Sequence, residues 1–129
     1  MAQRRLLVPA GTEMMRDQYH FSQGVQIGDT IYVSGQGGWD AAFQIAGDVG
    51  AQARQAFRNM ERVLAEAGAS LDDVVDVTSF HLDMEQMGAV VTVLKEVFPN
   101  HQPAWTAVGV TRLAMPAMLI EIKATAVKR

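Results

Sequence analysis

The chain alternates between stretches with a two-residue apolar repeat, typical of strands, and stretches with a three- and four-residue repeat, typical of helices. Residues 19–36 predict a β-hairpin. An alternating segment runs from Phe21 to Ile27, Gly28-Asp29 forms the turn, and a β-branched and aromatic segment follows from Thr30 to Ser34. Three glycines at 35, 37 and 38 end the second strand, and residues 37–47 are predicted to form a loop around Trp39.

Two helices are predicted, over 48–67 and about 85–97. Asp48 is the expected N-cap of the first helix, and Gly68 is the expected C-terminal stop. One stripe of the first helix is apolar: Val49, Ala53, Ala56, Phe57, Met60, Val63, Leu64 and Ala67. The second helix has a similar stripe: Met87, Val90, Val91, Leu94, Val97 and Phe98. The proline-flanked segment 99–103 ends it.

Three further strands are predicted, from Val74 to Leu82 and over about 104–112 and 118–127. The element order is therefore β-β-α-β-α-β-β, which indicates an α+β fold with one sheet and two helices on one face. We find no repeat, linker or low-complexity tract. At 129 residues, the chain is long enough for one domain, spanning residues 1–129, and too short for two good cores.

The later strands are apolar on both faces, and two helices can cover only one of them. Val75 and Val77 are expected to point one way, and Phe80 and Leu82 the other. Ile120 and Ile122 are likewise expected to oppose Leu119 and Val127. An apolar face of this size does not stay in water. The sequence therefore predicts a symmetric homo-oligomer that buries the second face.

The composition excludes several classes of function. Apolar residues make up 49% of the chain and charged residues 19%, the net charge is −3, and no dense Lys/Arg run is present, so a nucleic-acid partner is not expected. The absence of cysteine excludes disulfides, thiolate metal sites and a cysteine nucleophile. The three histidines lack metal-ligand spacing, so no metal is expected. No segment predicts a signal peptide or a membrane span, so the default location is the cytoplasm.

Glu121 and Trp105 are the first residues to explain. A carboxylate inside an apolar strand is costly unless something holds or uses it. Glu121 shares a strand face with Lys123, so the two are either a solvated or salt-bridged pair at the surface, or Glu121 is a desolvated general base beside a ligand. Trp105 is either core filling or a stacking wall for a flat ligand. The glycine-rich segment after Ser34 lacks the context of a nucleotide site, and is either a bulged strand end or a source of backbone N–H groups.

Several motifs together resemble a known family. The main pair is Pro103-Ala104-Trp105-Thr106 with an apolar stretch to Leu113, followed by Ile120-Glu121-Ile122. Shorter matches cover residues 19–127: Ser22-Gln23-Gly24-Val25, Val33-Ser34-Gly35-Gln36, Gln52 to Phe57, Ala67 to Val75, and Val77-Thr78. The pattern resembles the RidA family, also called YjgF or reactive intermediate deaminases, in which Pro-Ala-Arg-Ser/Thr precedes the Ile-Glu-Ile segment.

The resemblance implies a chorismate-mutase-like fold and a homotrimer with small-molecule pockets at the subunit interfaces. It also implies cofactor-independent hydrolysis of enamines and imines such as 2-aminoacrylate. In such members an arginine clamps the substrate carboxylate and a glutamate positions the water. The resemblance assigns the water-positioning role to Glu121 and a pocket-lining backbone to Gly35.

The other family positions differ in this chain. Trp105 stands at the arginine, Phe21 at the pocket tyrosine, Val91 at the pocket asparagine, and Ala107 where many members carry a cysteine. An indole cannot replace the bidentate grip of a guanidinium on a carboxylate. A larger, flatter or uncharged substrate is therefore expected.

Three functions follow, in order of preference. The first is a trimeric deaminase-like hydrolase in which Glu121 orients a water and Trp105 stacks on the substrate. The alternative is a non-catalytic trimer that binds an aromatic metabolite. Cleavage of RNA ranks third because the chain is acidic and has no basic groove.

Overall fold

The computed structural model of the chain describes residues 3–45 and 47–129. All seven predicted elements are present. In chain order they are β2 (Gly24–Ile27), β3 (Thr30–Gln36), α2 (Val49–Glu66), β4 (Val74–His81), α3 (Met87–Val97), β5 (Ala104–Gly109) and β6 (Ile120–Val127). Most have shorter ends, but β3 runs past the predicted stop at Gly35 to Gln36. Ahead of them lie two elements that the sequence pattern did not predict: β1 (Arg4–Leu7) and α1 (Glu13–Tyr19). Both are too short to show a periodicity, and neither has more than one buried residue.

The six strands form one sheet in the order β1-β2-β3-β6-β4-β5. β4 and β5 are parallel, and every other neighbouring pair is antiparallel. The C-terminal strand β6 therefore lies in the middle of the sheet, between β3 and β4. β5, which precedes β6 in sequence, lies at the edge and does not touch it.

The two long helices pack on one face of this sheet, as predicted. Phe57 of α2 is fully buried and meets Phe98 edge-to-face, with ring centroids 5.4 Å apart. Ile120 and Ile122 of β6 are also fully buried under the helices. The predicted helix stop is confirmed, since Gly68 has a φ of +70°, a conformation that glycine adopts without steric cost.

The N-terminal cap of α2 is confirmed as well. The Asp48 side chain accepts a hydrogen bond of 2.9 Å from the backbone N–H of Ala51. At its other end, a short 3₁₀ turn over Leu71–Asp73 leads into β4. In the described part of the chain, no helix is both long and apolar enough to cross a bilayer.

The opposite face of the sheet is covered by neither α2 nor α3. Five large apolar side chains on it are between 37% and 54% exposed: Leu6, Ile27, Tyr32, Val108 and Val127. Their register pairings place them on the side of the sheet away from the helices. The requirement for a second subunit thus remains a prediction, and this face is where it applies.

One predicted side-chain direction was wrong. Val75 and Val77 do not share a face, because the register of β4 against β6 shifts between Val74 and Asp76. The extra residue reverses the alternation, so Val74 and Val77 are buried while Val75 is 47% exposed.

Candidate functional site

Glu121 lies near the start of β6 on the face away from the helices. Its neighbours Ile120 and Ile122 point into the core, so the strand alternation directs Glu121 to the other side, opposite Phe80 of β4. The side chain is partly buried. Lys123 shares this face, yet no salt bridge joins the two among the described residues. The ion-pair interpretation of Glu121 is therefore not supported.

Gly35 lies directly against the Glu121 carboxyl group. A β-carbon at position 35 would come within 2.8 Å of both Cδ and Oε2 of Glu121. The register of β3 against β6 shifts between Val33 and Gln36, and this bulge contains Gly35. Only a glycine lets the carboxyl group pack so closely on the strand backbone. The predicted bulged strand end is confirmed.

Burial raises the pKa of Glu121 above its ordinary value, because the surrounding groups remove water from the carboxylate. No nearby cation in the described structure counters this effect. A partly desolvated carboxylate of this kind is a stronger base than an exposed one. General-base catalysis uses carboxylates whose pKa is raised in this way.

Glu121 lines a cavity of about 400 Å³, which we call the aromatic–methionine cavity. Its walls are almost entirely apolar and come from α1, the loops after β3 and before β6, and the strands beside them. They comprise Met14, Met15, Tyr19, Phe21, Gly35, Trp39, Phe43, Ala114, Met115, Met118 and Glu121. No Lys, Arg or His of the described residues lines it. Three predicted site residues, Glu121, Phe21 and Gly35, thus share one cavity.

Trp105 lies elsewhere. It pairs with Val77 in the parallel register of β4 and β5, so its side chain points toward the helices and packs against the core. Its indole N–H donates a hydrogen bond of 2.8 Å to the hydroxyl of Ser79. With Val91 of α3 it lines a second cavity of about 360 Å³, the Trp105 cavity, whose other walls are Leu94, Lys95, Phe98, Pro99, His101, Gln102 and Pro103.

The structure therefore divides the predicted site residues between two cavities. Glu121 and Trp105 lie on opposite faces of the sheet, and β4 separates their strands. Ala107 is half-buried on the Trp105 side, where it pairs with Ser79, and lines neither cavity. Within one chain, nothing bound against Glu121 also contacts the indole of Trp105.

Sequence reasoning missed the hydrogen-bonded group behind Trp105. The Ser79 hydroxyl lies 2.7 Å from Nε2 of His81, and both side chains are only 1% exposed. Nδ1 of His81 has no partner in the described residues, and burial lowers the pKa of this imidazole. Without access or an acid on Nδ1, the pair is unsuited to serine nucleophile chemistry and instead holds the indole. The i, i+2 spacing in an alternating strand was the available signal.

The loop from Trp39 to Ile45 was predicted as a loop but not as a cavity wall. The Asp40 carboxylate closes it by accepting hydrogen bonds of 2.9 Å from the N–H groups of Ala42 and Gln44. Phe43 has a φ of +58°, which costs a bulky residue on the order of 1–3 kcal/mol. The loop thus presents Trp39 and Phe43 to the cavity at a conformational cost.

Among the described residues, no three His, Asp or Glu side chains come close enough to hold a metal ion. The residues that line the cavity themselves offer a carboxylate, an apolar enclosure and the backbone groups near Gly35.

Comparisons with known proteins show the family to which the chain belongs. The family model described as Endoribonuclease L-PSP matches residues 13–128. RutC family protein YjgH of Escherichia coli (strain K12) is 42% identical over 117 residues, which are 88% of this chain and 88% of that protein. A 2-iminobutanoate/2-iminopropanoate deaminase of Dermatophagoides farinae is 38% identical over 109 residues, covering 83% of this chain and 84% of the relative.

Solved structures of YjgF-type proteins have a similar fold. Protein YJGH has a TM-score of 0.85 to this chain at 39% identity, and the match covers 97% of this chain and 96% of that one. A YjgF-family member from Mycobacterium tuberculosis has a TM-score of 0.83 at 33% identity, covering 97% of this chain and 99% of the other. The sequence motifs, the fold and these relatives lead to one conclusion: the chain belongs to the RidA/YjgF family, whose family model is described as Endoribonuclease L-PSP.

Proposed function

We propose that the protein is a cofactor-independent hydrolase of a small metabolite with a C=N bond, an imine or its enamine tautomer. The observation that carries the proposal is the partly buried carboxylate of Glu121, which lines a ligand-sized apolar cavity and has no cation beside it. Two relatives named 2-iminobutanoate/2-iminopropanoate deaminase, from Dermatophagoides farinae and Mus musculus, support this class of reaction.

In this mechanism Glu121 acts as general base and then as general acid. The carboxylate takes a proton from water while the water oxygen bonds to the imine carbon, and the C=N π electrons move to nitrogen. Glu121 then returns the proton to nitrogen. In the resulting carbinolamine, Glu121 takes the hydroxyl proton and passes it to nitrogen. The O–H bonding electrons form the carbonyl while the C–N electrons leave with nitrogen, which releases a carbonyl compound and ammonia or an amine. The reaction consumes one water molecule and needs no cofactor.

Subunit association completes the site in this proposal. Glu121 and Trp105 lie on opposite faces of one sheet, so a ligand touches both only if they come from neighbouring chains. The exposed apolar face offers the surface for such packing. We propose a homotrimer in which the aromatic–methionine cavity of one chain meets the Trp105 cavity of the next.

Light scattering in solution tests the assembly. The expected mass is three times the 14.1 kDa of one chain. Tyr32→Glu places a charge on the uncovered face and is expected to dissociate the trimer and abolish activity, because a charge without a partner is costly to bury. Ala65→Glu, on the exposed side of α2, is the control and should leave the mass unchanged. A monomeric wild-type protein that turns over imines would contradict the shared site.

A gain-of-function variant tests the specificity. Trp105→Arg is expected to raise hydrolysis of 2-iminopropanoate by roughly ten- to hundredfold, since a guanidinium adds charge-assisted hydrogen bonds to the substrate carboxylate. Trp105→Gln removes the indole without adding charge and is the matched control. Equal gains in both variants would mean that the ring only obstructs the site.

The rival function is a non-catalytic trimer that binds an aromatic metabolite, and the replacement of the family arginine and tyrosine by Trp105 and Phe21 favours it. Binding of a ligand without turnover of any imine, in wild type and in Trp105→Arg alike, would establish it. We do not propose RNA cleavage, because no basic residue of the described structure lines the cavity of Glu121 and the net charge is −3.

A further inference from the structure

The aromatic–methionine cavity combines one carboxylate with four aromatic rings and four methionines. We propose that the group it receives is an organic cation attached to a flat apolar substituent, so that the substrate is a protonated imine without a carboxylate on the reacting carbon. This inference deepens the proposed function and rests on it for the reaction, though not for the binding preference.

The charges around the cavity favour a cationic ligand over an anionic one. Glu121 is its only ionisable side chain of either sign besides the rim phenol of Tyr19, and no described Lys, Arg or His lines it. A bound carboxylate would face Glu121 across an apolar space with no cation to offset the repulsion. A cationic C=N group instead supplies the partner that Glu121 lacks in the chain.

The aromatic rings of the cavity favour a cation and a flat apolar group. Electron-rich ring faces attract cations, and they also stack on flat apolar groups. Tyr19 and Phe21 are 64% and 42% exposed, as expected of a cavity rim, while Trp39 and Phe43 are half-buried in the wall. Rings at the rim favour an entering cation, and the half-buried rings suit a flat substituent.

The strained loop around Phe43 holds an aromatic ring in the cavity wall. Phe43 keeps a positive φ that a bulky side chain rarely adopts, and the Asp40 carboxylate holds the loop in that form through two hydrogen bonds. Strained residues of this kind cluster at active sites and ligand clamps. Here the effect of the strained conformation is to keep the Phe43 ring in the cavity wall.

The methionines determine how closely the substituent must fit. Four of the eight methionines in the chain line this one cavity. Thioether side chains are flexible and polarisable, and they make favourable contacts with aromatic rings. A wall of this type accepts flat substituents of differing outline, so the selectivity resides in the charge and flatness of the ligand.

The Trp105 cavity, unlike that of Glu121, has two basic side chains in its wall, Lys95 and His101. Nε2 of His101 lies 2.7 Å from the backbone oxygen of Val74, which occupies that nitrogen. Lys95 is exposed near the end of α3, and a flexible, solvated ammonium group holds a carboxylate less firmly than a guanidinium does. A Lys95→Gln variant separates its contribution from that of Glu121.

The test is isothermal titration of the intact protein at pH 8 with three probes of matched shape: benzylamine, benzyl alcohol and benzoate. Benzylamine is expected to bind at least about tenfold more tightly than benzyl alcohol, and benzoate more weakly than both. Glu121→Gln should remove the advantage of benzylamine and leave the affinity for benzyl alcohol within about twofold. Lys95→Gln should leave the order of the three probes unchanged.

Phe43→Gly supplies a second variant that keeps the fold. Glycine adopts the φ of this position without strain, so the loop is retained while the ring is lost. Affinity for both benzylamine and benzyl alcohol should fall by about three- to tenfold. Benzoate binding as tightly as benzylamine, or an advantage of benzylamine that survives Glu121→Gln, would overturn the inference.

These outcomes separate the inference from the proposed function. Glu121-dependent preference for benzylamine without hydrolysis of any imine supports the inference and refutes the hydrolase. Efficient hydrolysis of 2-iminopropanoate by the wild-type protein, with no preference for the cationic probe, supports the hydrolase and refutes the inference.

Discussion

Glu121→Gln is expected to lower kcat/KM for imine hydrolysis by about 10²–10⁴-fold, the range typical of a positioned general acid–base group. Glutamine has nearly the shape of glutamate and still accepts a hydrogen bond from water through its carbonyl oxygen, yet its amide cannot take the proton. Steady-state kinetics with a series of small imines measures the effect. The matched control is Lys123→Gln, two residues along on the same face of β6, which should retain activity. Unchanged turnover in Glu121→Gln would refute the mechanism.

The stability of this variant shows whether lost activity reflects lost chemistry or lost structure. Burial raises the folded-state pKa of Glu121, so the unfolded chain releases this proton at a lower pH than the folded chain. As the pH rises from the ordinary pKa through the raised one, the folded state loses stability relative to the unfolded state. Glu121→Gln removes this penalty and should melt at the same or a higher temperature at neutral pH. The difference should vanish below the ordinary pKa of glutamate.

The same pKa shift predicts the acidic side of the pH profile of kcat/KM. The general base must be ionised, so kcat/KM of the wild-type protein should rise with pH through a pKa above the ordinary value for glutamate.

Gly35→Ala is expected to lower activity by about 100-fold while the fold is retained. The added β-carbon would stand 2.8 Å from Cδ and Oε2 of Glu121, and the flexible side chain, rather than the strand, is the part that moves. A displacement of about 1 Å at a catalytic group costs on the order of 10²-fold in rate. Steady-state kinetics of the variant measures the loss of activity, and circular dichroism measures whether the fold is retained.

Gly88→Ala is the control for this substitution. Gly88 lies in α3, and a β-carbon there would meet nothing within 4 Å, so activity should be unchanged and helix stability should rise by up to about 1 kcal/mol. Glu121→Asp withdraws the carboxyl group by one methylene, so its effect should be non-additive with that of Gly35→Ala. Full activity in Gly35→Ala would show that the close packing on the strand does not position the carboxylate.

Much of the fold was predictable because long periodic segments specify their own conformation. The helix α2 has an apolar stripe, an N-cap at Asp48 and a stop at Gly68, so local interactions and burial agree on the same element. The hairpin and the strand β6 carried equally clear two-residue patterns. β1 and α1 were missed since four and seven residues contain too little periodicity, and their packing comes from the rest of the chain.

Side-chain direction was predictable wherever a strand is regular. Alternation in β6 places Glu121 on the opposite side from the buried isoleucines next to it, so the pattern alone predicts a carboxylate on the face away from the core. The same rule failed at Val75, because one bulge residue reverses every direction beyond it and a bulge leaves no mark in the apolar pattern.

The sequence by itself determined the two long helices, the five strands from β2 to β6, the family and the identity of the unusual acid, since all of these depend on neighbouring residues or on motifs. The tertiary structure alone decided which of those residues meet. It inserts β4 between β5 and β6, which sends Trp105 and Glu121 to opposite faces although only fifteen residues lie between them in the chain. It also gathers the methionines and rings from α1 and distant loops around Glu121. The physical reason is that strand order and cavity walls are set by long-range packing, whose energy depends on pairs of residues far apart in sequence.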